Sequence, residues 1–278
     1  MFTTRYLICT LKIRAEALNK KVGIVGDVHA EDERLGLALS WLEKQGVDTI
    51  ICTGDVADGR GDINATCALL ADNDVQTVAG NHDRWLLTEK ARHVENAHLR
   101  SAVSDFSLNY LQSLPQTLSV QTLMGELLLC HGMIDNDLAK VWPGTATTEA
   151  KRSEPLDELL SLPSSTPRFV VNGHMHFRTL IDFKNCQLIN GGTLKGPYPG
   201  VTIIDLGAQE LCGFDFCPDT GFLSTQCYSL SDVQARRVWS DTQEFDCNWA
   251  PVILHLSLIH ISEPTRLLSI SYAVFCLK

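Results

Sequence analysis

The stretch Val22-Gly23-Ile24-Val25-Gly26-Asp27-Val28-His29 runs from an apolar, strand-like segment straight into an aspartate and a histidine. A parallel strand covered on both faces reads as a nearly unbroken apolar run, and its carboxyl end opens onto the crevice where ligands bind. The same transition recurs four more times along the chain. Thr49-Ile50-Ile51-Cys52 leads to Gly54-Asp55-Val56-Ala57-Asp58, and Val75-Gln76-Thr77-Val78-Ala79 leads to Gly80-Asn81-His82-Asp83. Leu127-Leu128-Leu129-Cys130 leads to His131-Gly132, and Phe169-Val170-Val171 leads to Gly173-His174-Met175-His176. One such cluster is ordinary, because Gly-Asp is commonly a turn and a histidine after a strand is commonly a hydrogen-bonded core residue. Five in series are not, since Asp and His then recur at strand ends and nowhere interrupt the apolar runs. Glycine immediately before Asp27, Asp55, Asn81 and His174 lets the backbone turn sharply and leaves room for a metal or phosphate to approach.

Residues 31–45 read as an amphipathic helix with Leu35, Leu39 and Leu42 on one side, between strands at 22–26 and 48–52. A helix near 63–72 and a strand at 75–79 follow, and this alternation predicts parallel βαβ units. A helical region is expected over 84–113, ended by Pro115, which has no amide hydrogen and disfavours a helical backbone at Leu114. Within it, the charged stretch from Glu89 to His98 reads as a solvated helical face and its exit, with His93 and His98 as bystanders. Short strands are expected at 117–121, 126–130, 168–172, 177–183, 186–190, 201–205 and 211–215. A polar loop with one short helix across 143–167 is the expected substrate-facing insertion. The strand-rich second half implies an α/β fold, a four-layer α/β/β/α sandwich of two mixed β-sheets flanked by helices.

The ordered set of clusters resembles the calcineurin-like metallophosphoesterase superfamily, whose pattern is Asp-x-His, Gly-Asp, Gly-Asn-His-Asp or Glu, His, and Gly-His-x-His. The resemblance spans about 21–206 with every motif intact, and it is nearest to the small bacterial and archaeal phosphodiesterase branch. It implies that Asp27, His29 and His176 bind one divalent metal, that Asn81, His131 and His174 bind a second, and that Asp55 bridges them. It further implies a metal-bridging hydroxide as nucleophile, His82 as general acid and Asp58 as the carboxylate that orients it. Mn²⁺ is the first expectation for the metals, with Fe, Zn²⁺ or Ni²⁺ compatible, since imidazole, carboxylate and amide oxygens suit hard to borderline ions. Arg60, in Asp58-Gly59-Arg60-Gly61, resembles the Asp-Arg-Gly of the protein-phosphatase branch except for an intervening glycine. Arg84, directly after the Gly-Asn-His-Asp motif, offers a planar fork to a substrate oxygen, and both arginines are candidate substrate contacts. The Asn190-Gly191-Gly192-Thr193 turn has backbone amides within reach of the same strand ends, or is simply a turn.

The function expected is therefore hydrolysis of a small phosphate ester, with a phosphodiester first. A phosphomonoester or a dinucleoside polyphosphate is the alternative substrate. The same fold can also serve as a noncatalytic scaffold, but scaffolds lose ligands or the acid histidine, and here all remain. The net charge of −10 comes with no sustained basic stripe, which argues against tight nucleic-acid binding. Roughly 180 residues of core suffice to bury a large apolar interior without crosslinks. Ten scattered cysteines, none in Cys-x-x-Cys, suggest free thiols and a cytoplasmic location, with Cys212 and Cys217 the one candidate pair. Neither a secretory signal nor a membrane span is expected at the amino terminus. Oligomeric state is left open.

The expected organisation is an extension or a misplaced start over 1–20, the metallophosphoesterase domain over 21–216, and an unassigned segment over 217–255. Residues 256–278 stand apart. Leu256-Ser257-Leu258-Ile259-His260-Ile261-Ser262-Glu263-Pro264-Thr265-Arg266 resembles the translation of a sequencing-library adapter, and Ile270 to Lys278 resembles its flow-cell end. These residues are set aside from the fold as a scar of that kind.

Overall fold

A computed structural model describes residues 18–141, 153–161, 166–183 and 186–231, with two short backbone strands at 238–239 and 252–253. The expectations for 1–17, for most of the 143–167 loop and for 256–278 lie outside the described residues.

The expected βαβ alternation is present. Strand β1 (Lys21–Val25), helix α1 (Asp32–Lys44), β2 (Thr49–Cys52), α2 (Ile63–Asp72) and the short β3 (Gln76–Thr77) alternate in order. β1, β2 and β3 pair in parallel. Helix α1 buries Leu35, Ala38, Leu39 and Leu42, a stripe at the spacing expected of one helical face. Helix α2 starts where the Asp62 carboxylate accepts the Asn64 and Ala65 amides.

The region 84–113 corrects the expectation of one continuous helix. Helix α3 (Asn81–Leu87) stops early, an irregular loop follows, and after a single 3₁₀ turn helix α4 spans Asp105–Ser113. Glu89, Ala91 and Asn96 take positive φ in the loop, which a helix cannot accommodate. Arg92 and His98 turn inward there instead of facing solvent. Helix α4 ends just before Pro115, as its ring requires.

The second half supplies β4 (Thr117–Thr122), β5 (Gly125–Cys130), α5 (Glu154–Leu160), β6 (Phe169–Asn172), β7 (Arg178–Phe183), β8 (Gln187–Gly191), β9 (Gly200–Asp205) and β10 (Glu210–Cys217). Strand β11 (Gly221–Ser229) pairs antiparallel with β10 and carries its sheet past residue 216. One mixed sheet runs β11-β10-β9-β1-β2-β3. The other runs β12-β7-β8-β6-β5-β4, where β12 is Val238–Trp239, and β13 (Val252–Ile253) also pairs with β7.

Three apolar clusters mark the interfaces between layers. Val22, Ile24, Ile51 and Val78 of the first sheet meet Leu127, Leu129, Phe169, Val171 and Ile189 of the second. Leu35, Leu39, Leu42, Cys67 and Leu70 of α1 and α2 cover the outer face of the first sheet. Leu156 of α5 packs with Val170, Ile181 and Leu188 on the outer face of the second. Helix, sheet, sheet and helix therefore stack in four layers.

The cysteines depart from the expectation of thiols throughout and of a Cys212 and Cys217 pair. Cys212 is joined to Cys227 by a disulfide, because the two stand opposite each other in the β10–β11 register. Cys217 is free, as are the buried Cys52, Cys67, Cys130 and Cys186. No helix among the described residues is long and apolar enough to cross a membrane.

Candidate metal centre

The carboxyl ends of β1, β2, β5 and β6 meet along one edge of the paired sheets, and the turns after them carry the polar clusters. These turns are tightly wound. His29, Asp55, Asp58, His174 and His176 all take positive φ, a region costly for side-chain-bearing residues and found where surrounding structure over-determines it. A Cβ at Gly80 would overlap Asp55 Oδ1, and one at Gly173 would overlap Asp27 Oδ1. The room these two glycines leave is thus taken by the neighbouring carboxylates.

Every side chain of the expected ligand set comes together. Asp27, His29, Asp55 and His176 form one group and Asp55, His131 and His174 a second, with the donor atoms of each group within 4.8 Å of one another. Asp55 belongs to both. Asn81 Oδ1 lies 3.0 Å from His131 Nε2, on the side of the second group.

Hydrogen bonds behind the ligands fix which atoms face the centre. His29 Nδ1 lies 2.9 Å from the Asp58 carbonyl and His131 Nδ1 lies 2.8 Å from the Thr53 carbonyl. Donation from Nδ1 to these oxygens leaves each Nε2 with a lone pair turned inward. Thr53 Oγ1 donates to Asp27 Oδ1 at 2.8 Å, and the His174 amide donates to Asp27 Oδ2 at 2.8 Å. The His82 amide donates to Asp55 Oδ1 at 2.8 Å and leaves Oδ2 for the centre.

The donor set fits divalent cations. His29 Nε2 lies 3.1 Å from His176 Nε2, and His131 Nε2 lies 3.3 Å from Asp55 Oδ2, so ring nitrogens and carboxylate oxygens converge in a buried space. His174 Nε2 is buried with no hydrogen-bond partner. Burial and the facing His176 push the His29 imidazole down to about 3, and burial with His131 nearby pushes His174 down to about 3, which keeps both neutral as ligands must be. Burial opposes charge on His131 as well, but Asp55 and Asp27 outweigh it and raise this imidazole to about 10. A proton there does in part what a cation would do, relieving carboxylates held side by side. These two groups point to divalent metal binding.

His82 stands beside the ligands and outside both groups. Its Nδ1 donates to Asp58 Oδ2 at 2.8 Å, its ring centroid lies 4.9 Å from that of His29, and the Trp85 ring packs at 4.8 Å. Burial lowers its pKa, yet Asp55 and the hydrogen-bonded Asp58 more than compensate, so the imidazolium is favoured. Burial alone would raise the Asp58 carboxyl, but the His82 and Arg92 hydrogen bonds and the His98 amide hold it below its ordinary value. Asp83 is an anchor. It is fully buried and accepts the Gly80 and Ala57 amides at 2.8 and 2.9 Å, tying the start of α3 to the turn after β2.

A cleft of about 250 Å³ opens over the centre, walled by His29, Asp55, Asn81, His82, His174 and His176 on the metal side. Trp85, Val94, Glu95, Lys140 and Lys195 complete its lining. None of these five was singled out from sequence. Trp85 comes from helix α3, one turn on from Asn81, while Val94, Glu95, Lys140 and Lys195 are brought in by loops whose path no local pattern encodes. The two arginines expected at substrate do not line this cleft. Arg84 holds Asp137 through Nε–Oδ2 at 2.6 Å and Nη2–Oδ1 at 2.9 Å, and Arg60, 80 % exposed, reaches Glu95 at 3.6 Å. His98, expected as a bystander, instead donates its backbone N–H to Asp58 and accepts the Asp58 amide at Nδ1. His93 is not among the residues that line the cleft. Of the Asn190–Thr193 turn, Thr193 Oγ1 donates to the Asp27 carbonyl, so the turn braces the first ligand strand.

Comparison with known proteins places this arrangement. Among curated proteins, an uncharacterized protein of Methanocaldococcus jannaschii, MJ0912, is 25% identical over 101 residues. The match covers 34% of this chain and spans 42% of the relative's length. Among solved structures, a metallophosphoesterase from Sphaerobacter thermophilus has a TM-score of 0.51 at 19% identity, covering 77% of this chain and 91% of that one. Hypothetical protein PH1004 from Pyrococcus horikoshii OT3 has a TM-score of 0.52 at 11% identity, covering 69% and 85%. At these identities the two structures share the fold. The model of the calcineurin-like phosphoesterase superfamily domain matches residues 21–208, which hold all five motif clusters, and the chain belongs to that superfamily.

Proposed function

We propose that the protein is a dinuclear metal-dependent phosphodiesterase acting on a small phosphate ester. The observation that carries this reading is the pair of donor groups sharing Asp55. Asp27, His29 and His176 would hold one ion, Asn81, His131 and His174 the other, with Mn²⁺ first and Fe, Zn²⁺ or Ni²⁺ compatible. When bound, two such ions activate a water for attack and draw charge from the phosphoryl oxygens.

The protein's own residues do the rest. Nδ1 of His82 is committed to Asp58, so the proton available to the cleft sits on Nε2. As the bond from phosphorus to the leaving oxygen breaks, that proton passes to the oxygen, and His82 acts as general acid. Trp85 and Val94 give the cleft an apolar wall, and the Trp85 ring lies against His82, where a leaving group would sit. Lys140 and Lys195 offer positive charge to an anionic ester.

The cations of the lining favour a diester over a monoester. Among the described residues that line the cleft there is no guanidinium, and a dianionic terminal phosphate is the group for which a bidentate arginine is most suited. Metal-reconstituted protein should be screened by kcat/KM against phosphodiesters, phosphomonoesters and dinucleoside polyphosphates. A preference for diesters is expected. Preference for monoesters or dinucleoside polyphosphates would replace the substrate class, and absence of turnover with both metals bound would indicate a scaffold.

A further inference from the structure

The loop after α3 reaches back across the molecule to the carboxylate behind His82. Asp58 is fully buried, and each of its oxygens receives two donors. Oδ1 accepts from Arg92 Nη1 at 2.9 Å and from the His98 amide at 3.0 Å. Oδ2 accepts from His82 Nδ1 at 2.8 Å and from Arg92 Nη2 at 2.9 Å. The guanidinium is itself held by the loop, Nε donating to the Lys90 carbonyl at 2.7 Å and Nη1 to the His98 carbonyl at 3.0 Å. A two-pronged pair of this kind fixes the plane of the carboxylate, which a single point charge would not do.

We propose that Arg92 is a positioning residue for proton transfer by His82: it sets the plane of Asp58 so that Oδ2 accepts the hydrogen bond from Nδ1–H and Nε2 carries the proton delivered to the leaving oxygen. The proposal rests on the reading of His82 as the general acid. In the step itself the Nε2 proton moves to the leaving oxygen as its bond to phosphorus breaks. The Nδ1 proton stays on His82, hydrogen-bonded to Asp58 Oδ2, and Arg92 keeps its charge throughout. The same loop brings Val94 and Glu95 to the cleft wall, so the segment that lines the substrate space also holds the acid in register.

A purely structural clamp would make a different prediction. It would slow every substrate alike. Arg92→Ala in metal-loaded protein should lower kcat about 10–100-fold on a diester with an alkoxide leaving group, and by less than about threefold on one with an activated aryl leaving group, with KM nearly unchanged. In a His82→Ala background the same substitution should add nothing. Arg92→Lys, which keeps a charge beside Asp58 but lacks the fork, should retain the fold and still lose rate selectively on the alkoxide ester. Equal losses on both esters, or an additive loss in the His82→Ala background, would overturn the proposal.

A readout without turnover separates this from the phosphoesterase reading. In Zn²⁺-loaded protein the side-chain ¹⁵N signals of His82 should report a protonated, hydrogen-bonded Nδ1. In Arg92→Lys or Arg92→Ala they should move toward a mixture of tautomers. Unchanged His82 signals would refute the positioning role whether or not the protein hydrolyses any ester.

Discussion

Asp55 is the side chain on which both donor groups depend, and its two oxygens are already divided between tasks. Oδ1 is taken by the His82 amide, while Oδ2 faces the histidines of both groups. Asp55→Asn removes the charge and replaces one oxygen by a donor, so both ions should bind more weakly and activity should collapse together with metal content. Metal analysis of the purified variant checks this; loss of one ion with full retention of the other would contradict the shared role. His82 makes the opposite prediction, because it lies outside both groups. His82→Ala should keep near-native metal content and lose about 10²–10⁴-fold in kcat on a poor leaving group, with a smaller loss on an activated aryl ester. Loss of metal, or equal loss on both esters, would remove His82 as the acid. The residues proposed for these roles were legible because each follows a strand-like stretch that runs into a polar cluster. Arg92, Lys140 and Lys195 were not, since nothing local to the sequence fixes where a loop ends in space.

The elements show where local pattern suffices and where tertiary context takes over. β1, β2, α1 and α2 follow their apolar periodicity closely, as does the stop before Pro115. The break between α3 and α4 does not. Helix propensity through the charged stretch 89–98 yields to the buried Asp58, which takes Arg92 and the His98 amide as its partners. β11 was hidden for another reason, being half exposed at a sheet edge with no continuous apolar run. The two sheets are also tied by a polar link that no periodicity announces. Arg178 of β7 is fully buried, pairs with Asp215 of β10, and donates to the Val201 carbonyl of β9 at 3.0 Å and to the Phe214 carbonyl. Burial lowers its pKa to about 10, against the pull of Asp215, so it remains charged at neutral pH. Arg178→Met should destabilise the protein by about 3–5 kcal/mol, because Asp215 and two carbonyls lose their partner. Urea unfolding measures this, and a loss under about 1 kcal/mol would mean that the link contributes little.

At the scale of the whole molecule, three apolar interfaces hold two sheets so that the carboxyl ends of β1, β2, β5 and β6 open on one side. Neither sheet carries a complete centre: Asp27, His29 and Asp55 come from the first, His131, His174 and His176 from the second. Site and sheet packing are therefore one problem, and whatever separates the sheets should release the metals. Residues 256–278, set aside on their resemblance to an adapter, have no assigned part in this. Their deletion should leave metal content and kcat unchanged and reduce aggregation, and loss of folding on deletion would show that they belong to the domain. If two ions act together through Asp55, each should be needed for turnover. Metal-free protein should be titrated with Mn²⁺ while bound metal per chain and hydrolysis of an activated phosphodiester are followed in the same samples. Activity should develop as occupancy rises from one ion toward two per chain. Full activity at one ion, or none at two, would contradict it.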